Sequence, residues 1–479
     1  MSKTVLHDGD EGVLLIVKDI KRKRNKVVTK NGRSPVHVVY GGAHLFKAGT
    51  PEKLGRIALE SLSIYAPNFV EFAGAMRLKG SETLPRFPNA VAALEKELAK
   101  KPEKVRTENF SAWFAWSIYN LTRQKLQTEP VEDYRIDFED GYGFRTNDEE
   151  DAHAISAAEE LAKSFESNAI TRFSGFRIKS LGPETHERAG RTLHLFLDTF
   201  LAQTNNKLPT DLAVTLPKVS DKKEVRDLCR HLEKIEKKHG LGSNSIGIEI
   251  MIETPLAIVD RKGRLALKEL VKAAKGRQLS AHFGAYDYTA SLGISANHQS
   301  LHHDACNFAR QMMLLSLSPL EIRLSDSVTT DLPLAMHKGE KLSQIQRDEN
   351  RRAIHSSWLT HFQNVTQSMI NGFYQSWDLH PNQLVARYAA VYSFFFEAKE
   401  AQALRLKGFI EKEAQAVVTG NTFDDAASAQ GLVNFFRRGL DCGALNENEI
   451  LESTSLTMEE LSSGSFSQIA ESRRKIGQY

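Results

Sequence analysis

The sequence predicts an α/β chain built on a (β/α)8 barrel. Three observations carry that expectation. Eight short apolar, β-branched runs recur along the chain, longer amphipathic stretches at helical spacing separate them, and acidic residues gather where the runs end. Strands separated by helices run parallel, and eight such units can close on themselves. A doubly wound open sheet alternates in the same way, so periodicity alone leaves both architectures open.

In chain order the predicted strands are 35–41 (PVHVVYG), 134–139 (YRIDFE), 175–179 (GFRIK), 212–217 (LAVTLP), 246–252 (IGIEIMI), 279–284 (LSAHFG), 321–324 (EIRL) and 376–379 (SWDL). The Ala- and Glu-rich stretch 148–167 and the stretch 222–239, with Asp221 as its cap, read as helices between them. The first crossover is long, about 46–132, and holds at least two helices, including 89–101 and 107–127. After the last strand, 382–412 reads as one long helix with Phe394, Phe395 and Phe396 in its middle. From about 424 onward the chain is helical and then polar. These patterns divide the chain into an N-terminal extension (1–34), a barrel domain (35–390, insertion included) and a C-terminal helical extension (391–479). No internal repeat or low-complexity linker separates them, so the extensions are expected to pack on the barrel or to build a homo-oligomer interface.

Bulk properties exclude several classes. Lys+Arg 63 against Asp+Glu 60 leaves +3, which provides no general attraction to nucleic acid or to a membrane surface. The basic run 18–26 reads as a solvated strand edge or turn, with a phosphate or nucleic-acid contact as the alternative. Cys229, Cys306 and Cys442 are far apart and form neither a CxxC pair nor a disulfide framework. The first dozen residues lack the apolar core of a signal peptide, and no aliphatic stretch is long enough to span a bilayer. A cytoplasmic location is the expectation.

The chemistry-bearing residues fall at strand ends, where barrel active sites sit. Glu253 closes the fifth strand ahead of Pro255, and Asp287 follows the sixth after the Gly284-Ala285 turn. Each alone could be a surface acid or a helix cap. Adjacent strand ends can bring the two together to chelate one hard cation, and Mg²⁺ is held by one or two carboxylates in this way. Asp137, Glu139 and Asp140 end the second strand, Asp137 and Glu139 on one face. Such crowding needs a cation, an arginine or shared protons; Asp140 could instead cap the following helix. Arg177 lies inside the third strand, where it either pairs with Glu139 or Asp140 or binds a substrate carboxylate. Lys218 ends the fourth strand and could point to solvent, His282 reads as a satisfied core histidine, and His380 as structural.

In their order these segments resemble the HpcH/HpaI aldolase–citrate lyase family, closest to its citrate lyase beta-subunit branch. The matching segments are VVYGGAHLF, DFEDGYG, GFRIKS, TLPKVS, IETPLA, GAYDYTASLG and GFYQSWDLHPNQL, spanning roughly 35–387. The resemblance implies a TIM barrel with Mg²⁺, or Mn²⁺, on Glu253 and Asp287. It implies substrate oxygens on Arg177 beside Gly284 and Ala285, with Glu139 and Asp140 handling a proton or orienting Arg177. Lys179 stands where that branch has asparagine, and His44-Leu45-Phe46 replaces an arginine-bearing turn.

The reaction expected of such a site is carbon–carbon cleavage or formation beside a carbonyl in a small keto acid or related carboxylate, through a metal-stabilised enolate. The alternatives are an acyl-CoA lyase or condensing enzyme on the same barrel, of malyl-CoA lyase or malate synthase type, and a catalytically silent barrel acting as a binding protein.

Overall fold

The computed structural model describes residues 33–411, 417–419, 422–424 and 426–476. The basic run at 18–26 lies outside them. Eight strands, β1 (His37–Gly42), β2 (Asp133–Asp137), β3 (Phe173–Arg177), β4 (Ala213–Leu216), β5 (Gly247–Ile252), β6 (Gln278–Phe283), β7 (Arg323–Val328) and β8 (Gln375–Asp378), close into one parallel barrel in chain order. The step that excludes an open sheet is the pairing of the first strand with the last, His37 opposite Ser376 and Val39 opposite Asp378. Each observed strand lies within a few residues of its predicted counterpart.

Side-chain alternation sorts every strand into two faces. On β2, Tyr134 and Ile136 join the apolar core under the helices, and on β5 Ile248, Ile250 and Ile252 do the same. The other parity (Asp133, Arg135 and Asp137; Glu249 and Met251) lines the barrel interior. That interior is polar, and many of its polar groups are paired. Glu249 accepts from Tyr40 (2.8 Å), Thr215 (2.8 Å) and Ser280 (2.6 Å), while Arg135 Nη2 donates to Asp133 at 3.0 Å. Burial pushes the Glu249 carboxyl up, but Arg135 and the hydroxyl donors outweigh it and hold it at about 2. Gly175 makes room for this layer, since a Cβ there would meet Arg135 Nη1 at 2.2 Å and the Ala213 carbonyl at 2.1 Å.

The first crossover holds five α-helices: Thr50–Tyr65, Phe69–Met76, Pro88–Lys100, Pro102–Glu108 and Phe110–Thr128. The single helix expected over 107–127 is broken at Asn109, whose non-helical backbone (φ −145°) lets its side chain accept from the Ala112 amide. Asparagine competes well for an N-cap, so the chain restarts there. The helix Asn147–Glu166 begins with a capping box formed by Thr146 and Glu149. Asp140 is therefore not its cap. Asp221 does cap Lys222–Lys238, accepting from Lys223 N.

After β8 a single helix, Gln383–Glu411, packs against Phe110–Thr128 and Gln344–Ile370. A short antiparallel pair follows, β9 (Val417–Thr419) and β10 (Thr422–Asp424), then helices Ala426–Asp441, Glu447–Thr454, Met458–Ser463 and Phe466–Ile476. Ser34 N donates to the Asp441 carbonyl at 2.9 Å, and Arg33 pairs with Glu132 at 2.7 Å, so the C-terminal helices also meet the chain entering β1. Among the described residues no helix is long and apolar enough to cross a membrane.

Candidate active site

The register of the barrel sets Asp137 directly opposite Arg177 at the ends of β2 and β3. Arg177 Nε and Nη2 donate to the two oxygens of Asp137 at 2.7 and 2.6 Å. Asp137 also accepts from the Glu139 and Gly141 amides at 3.0 and 2.8 Å, so this carboxylate is fully occupied. The second edge of the guanidinium faces the mouth. Its Nη1 lies 3.0 Å from Glu139 Oε2 and 3.7 Å from Asp140 Oδ2. The rings of Tyr40 and Trp377 lie 4.9 and 5.5 Å from its central carbon and confine it. The sequence paired Arg177 with Glu139 or Asp140; the structure gives it Asp137 first. Cross-strand opposition is the signal that would have found it.

Lys218 forms the centre of the site. It follows β4 in a left-handed backbone conformation (φ 51°), which aims both its amide and its side chain across the mouth. The amide donates to Glu253 Oε1 at 2.5 Å. The ammonium lies 2.7 Å from Glu139, 3.4 Å from Asp140 and 3.3 Å from Asp287. Four acids from the ends of β2, β5 and β6 thus converge on one lysine, which does not simply point into solvent. Their charges raise its pKa above the ordinary value, against the opposing effect of burial.

Glu253 is buried at the end of β5. Thr254, next to it, caps Pro255–Ile258 and donates to the Val219 carbonyl at 2.6 Å, tying the β5 end to the β4 loop. Gly284 presses on it from β6: a Cβ there would sit 2.5 Å from Glu253 Cβ and 2.7 Å from its Oε2. Ala285 donates its amide to Ser327 Oγ at 3.0 Å, which fixes the start of Ala285–Ser291 and so the place of Asp287 in its first turn.

The acids differ in charge state. Burial, with the neighbouring Asp287 charge, pushes the Glu253 carboxyl up to about 8 even though Lys218 opposes it. Glu139 is also raised, by burial and by Asp140, against Arg177 and Lys218. For Asp140 the upward pull of burial is outweighed by Arg177 and Lys218, and its pKa is lowered.

Other expectations resolve differently. Lys179 is drawn away from the mouth, donating to Glu150 Oε2 (2.6 Å) and the Phe138 carbonyl (2.9 Å). His380 accepts from Asn382 N in the turn after β8, a structural role. His282 is buried inside the barrel between Tyr40 and Trp377, yet neither ring nitrogen has a hydrogen-bond partner among the described residues. It is not a satisfied core histidine, and burial pushes it down to about 4.

Among solved structures, the chain is similar to a citrate lyase from Burkholderia xenovorans LB400. The two share 16% identity over 71% of this chain and 92% of that one, with a TM-score of 0.51. A malate synthase from Haloferax volcanii, in a magnesium/glyoxylate complex, matches at 16% identity over 54% of this chain and 66% of that one, with a TM-score of 0.41. No curated protein matches the sequence. The model of a domain family of unknown function, DUF6986, matches residues 18–469, which takes in the barrel, its long first crossover and nearly all of the C-terminal helices; the chain belongs to that family.

Proposed function

We propose that this protein is a divalent-cation-dependent carbon–carbon lyase of the aldolase and citrate-lyase kind, acting on a small keto acid or related carboxylate. The observation that carries this reading is the convergence of Glu139, Asp140, Glu253 and Asp287 around Lys218, beside the outward edge of Arg177. The donors are all carboxylate oxygens, a set that suits Mg²⁺ or Mn²⁺. The elevated Glu253 pKa points the same way, because a buried anion at that position needs a positive charge to offset its desolvation. Glu253 and Asp287 would hold the ion, and when bound it supplies Lewis acidity to a substrate carbonyl.

The protein's own groups do the rest. Arg177, pinned on one edge by Asp137, offers its Nη1 edge to a substrate carboxylate, which takes the place of Glu139 there. Glu139, with its raised pKa and with Oε1 held by Lys218, is suited to carry a proton to or from the substrate. Asp140, held ionised, balances Arg177 and Lys218.

The test is turnover of pyruvate-type and oxaloacetate-type acids with and without Mg²⁺, in the native chain and in Glu253→Gln and Asp287→Asn. Each substitution is expected to lower turnover by about 100-fold or more. Undiminished turnover in both variants overturns the reading. Activity on CoA thioesters in place of free keto acids would move it to an acyl-CoA enzyme.

A further inference from the structure

Outside the barrel mouth, the helices that follow β3 and β4, His186–Gln203 and Lys222–Lys238, lie side by side. We propose that they carry a second metal site, one for Zn²⁺, built from His186, Asp227 and His231. One ligand atom from each of the three residues lies within 4.8 Å of the others. His186 opens the first helix, and Asp227 and His231 stand one turn apart on the second, so both face the same neighbour. Ligands held at about 2.0–2.1 Å from a tetrahedral zinc lie some 3.3 Å apart, so small rotamer adjustments close the cluster. His186 Nε2 is already 2.5 Å from Asp227 Oδ2, sharing a proton that a cation would replace.

The surroundings are those of a built site. His194 Nε2 lies 3.1 Å from His231 Nδ1. With the proton on His231 Nδ1 donated to His194, the Nε2 lone pair of His231 is left for the metal, and the ring is held in place. Arg230 occupies the outer oxygen of Asp227 at 2.6 Å and leaves the inner one facing His186. His186, Gly190 and His194 form one stripe at four-residue spacing. Gly190 is where the His231 ring packs: a Cβ there would sit 3.3 Å from His231 Cε1. Imidazole nitrogens with one carboxylate suit zinc and its neighbours in the transition series, whereas Mg²⁺ takes oxygen donors. The two candidate centres therefore differ in chemistry as well as in place, and the second does not rest on the reading of the first. An ion here clips two barrel helices together.

The experiment uses the untagged full chain carrying Glu253→Gln and Asp287→Asn, titrated with Zn²⁺ by calorimetry in excess Mg²⁺. One zinc per chain at micromolar affinity is expected, with a rise in Tm. Adding His186→Ala or His231→Gln should weaken binding at least about tenfold and abolish that rise. His186 is 41% exposed at a helix start, so its removal leaves the core untouched. In chains with an intact barrel mouth, the same two changes should leave Mg²⁺-dependent stabilisation unchanged. No zinc bound by the parent, or equal affinity in both histidine variants, overturns the proposal.

Discussion

Glu253 concentrates the electrostatics of the mouth in one side chain. Its carboxyl is raised from 4.5 to about 8 in the folded protein, so between those values the folded chain binds more protons than the unfolded one. Its contribution to stability therefore falls as pH rises from about 4.5 to about 8, then levels. Urea midpoints of the metal-free protein across that window, set against Glu253→Gln, should show the variant lacking this part of the slope. Gly284 acts on the same residue by shape. Gly284→Ala drives a Cβ into Glu253 at 2.5 Å, an overpacking expected to cost about 1–3 kcal/mol and to remove the Mg²⁺-dependent rise in Tm. Asp137 tests the other wall. Asp137→Asn leaves the buried Arg177 without its main counter-charge and should cost about 3–5 kcal/mol in urea unfolding.

At the scale of elements, β2, β3 and β5 aim residues at the mouth because the parity of their side chains is fixed. Asp133, Arg135 and Asp137 alternate inward along β2, and the same face continues to Glu139 beyond it. Glu249, Met251 and Glu253 do this for β5. Helix starts are just as local in origin. Thr146 closes a capping box on Asn147–Glu166, and Asn109 restarts the chain at Phe110. Thr146→Ala and Asn109→Ala should each lower stability by about 1 kcal/mol, read as a shift in urea midpoint. The sequence pattern carried Asp221 as a cap correctly and left Asp140 open as a second, a place Thr146 takes. The difference lies in the turn 139–143, which bends the chain around Asp137 before the helix can begin.

For the whole molecule, the C-terminal helices complete the fold. Phe395 contacts Phe435 at 5.3 Å between ring centres, and Phe409 contacts Phe466 at 4.8 Å. A chain ended after residue 411 would uncover both, and each buried aromatic is worth about 1.5–3 kcal/mol. Such a truncation should lower Tm and aggregate in size-exclusion chromatography, while the full chain elutes as a discrete species.

The sequence by itself determined the eight strands, the alternation that makes them parallel, and the acids at their ends, because periodicity and turn chemistry are local properties. Glu253, Asp287, Glu139, Asp140 and Arg177 were all legible in that way, and the structure gathers them at one mouth. Closure of the sheet was decided only by the pairing of β1 with β8, which joins residues more than three hundred positions apart. The same holds for the partner of Arg177 and for the direction of Lys218. The first depends on which residues two strands set opposite each other, the second on a left-handed turn whose side chain could as well have faced water. His186, Asp227 and His231 are likewise separate in the sequence. Only the packing of two neighbouring helices brings them together.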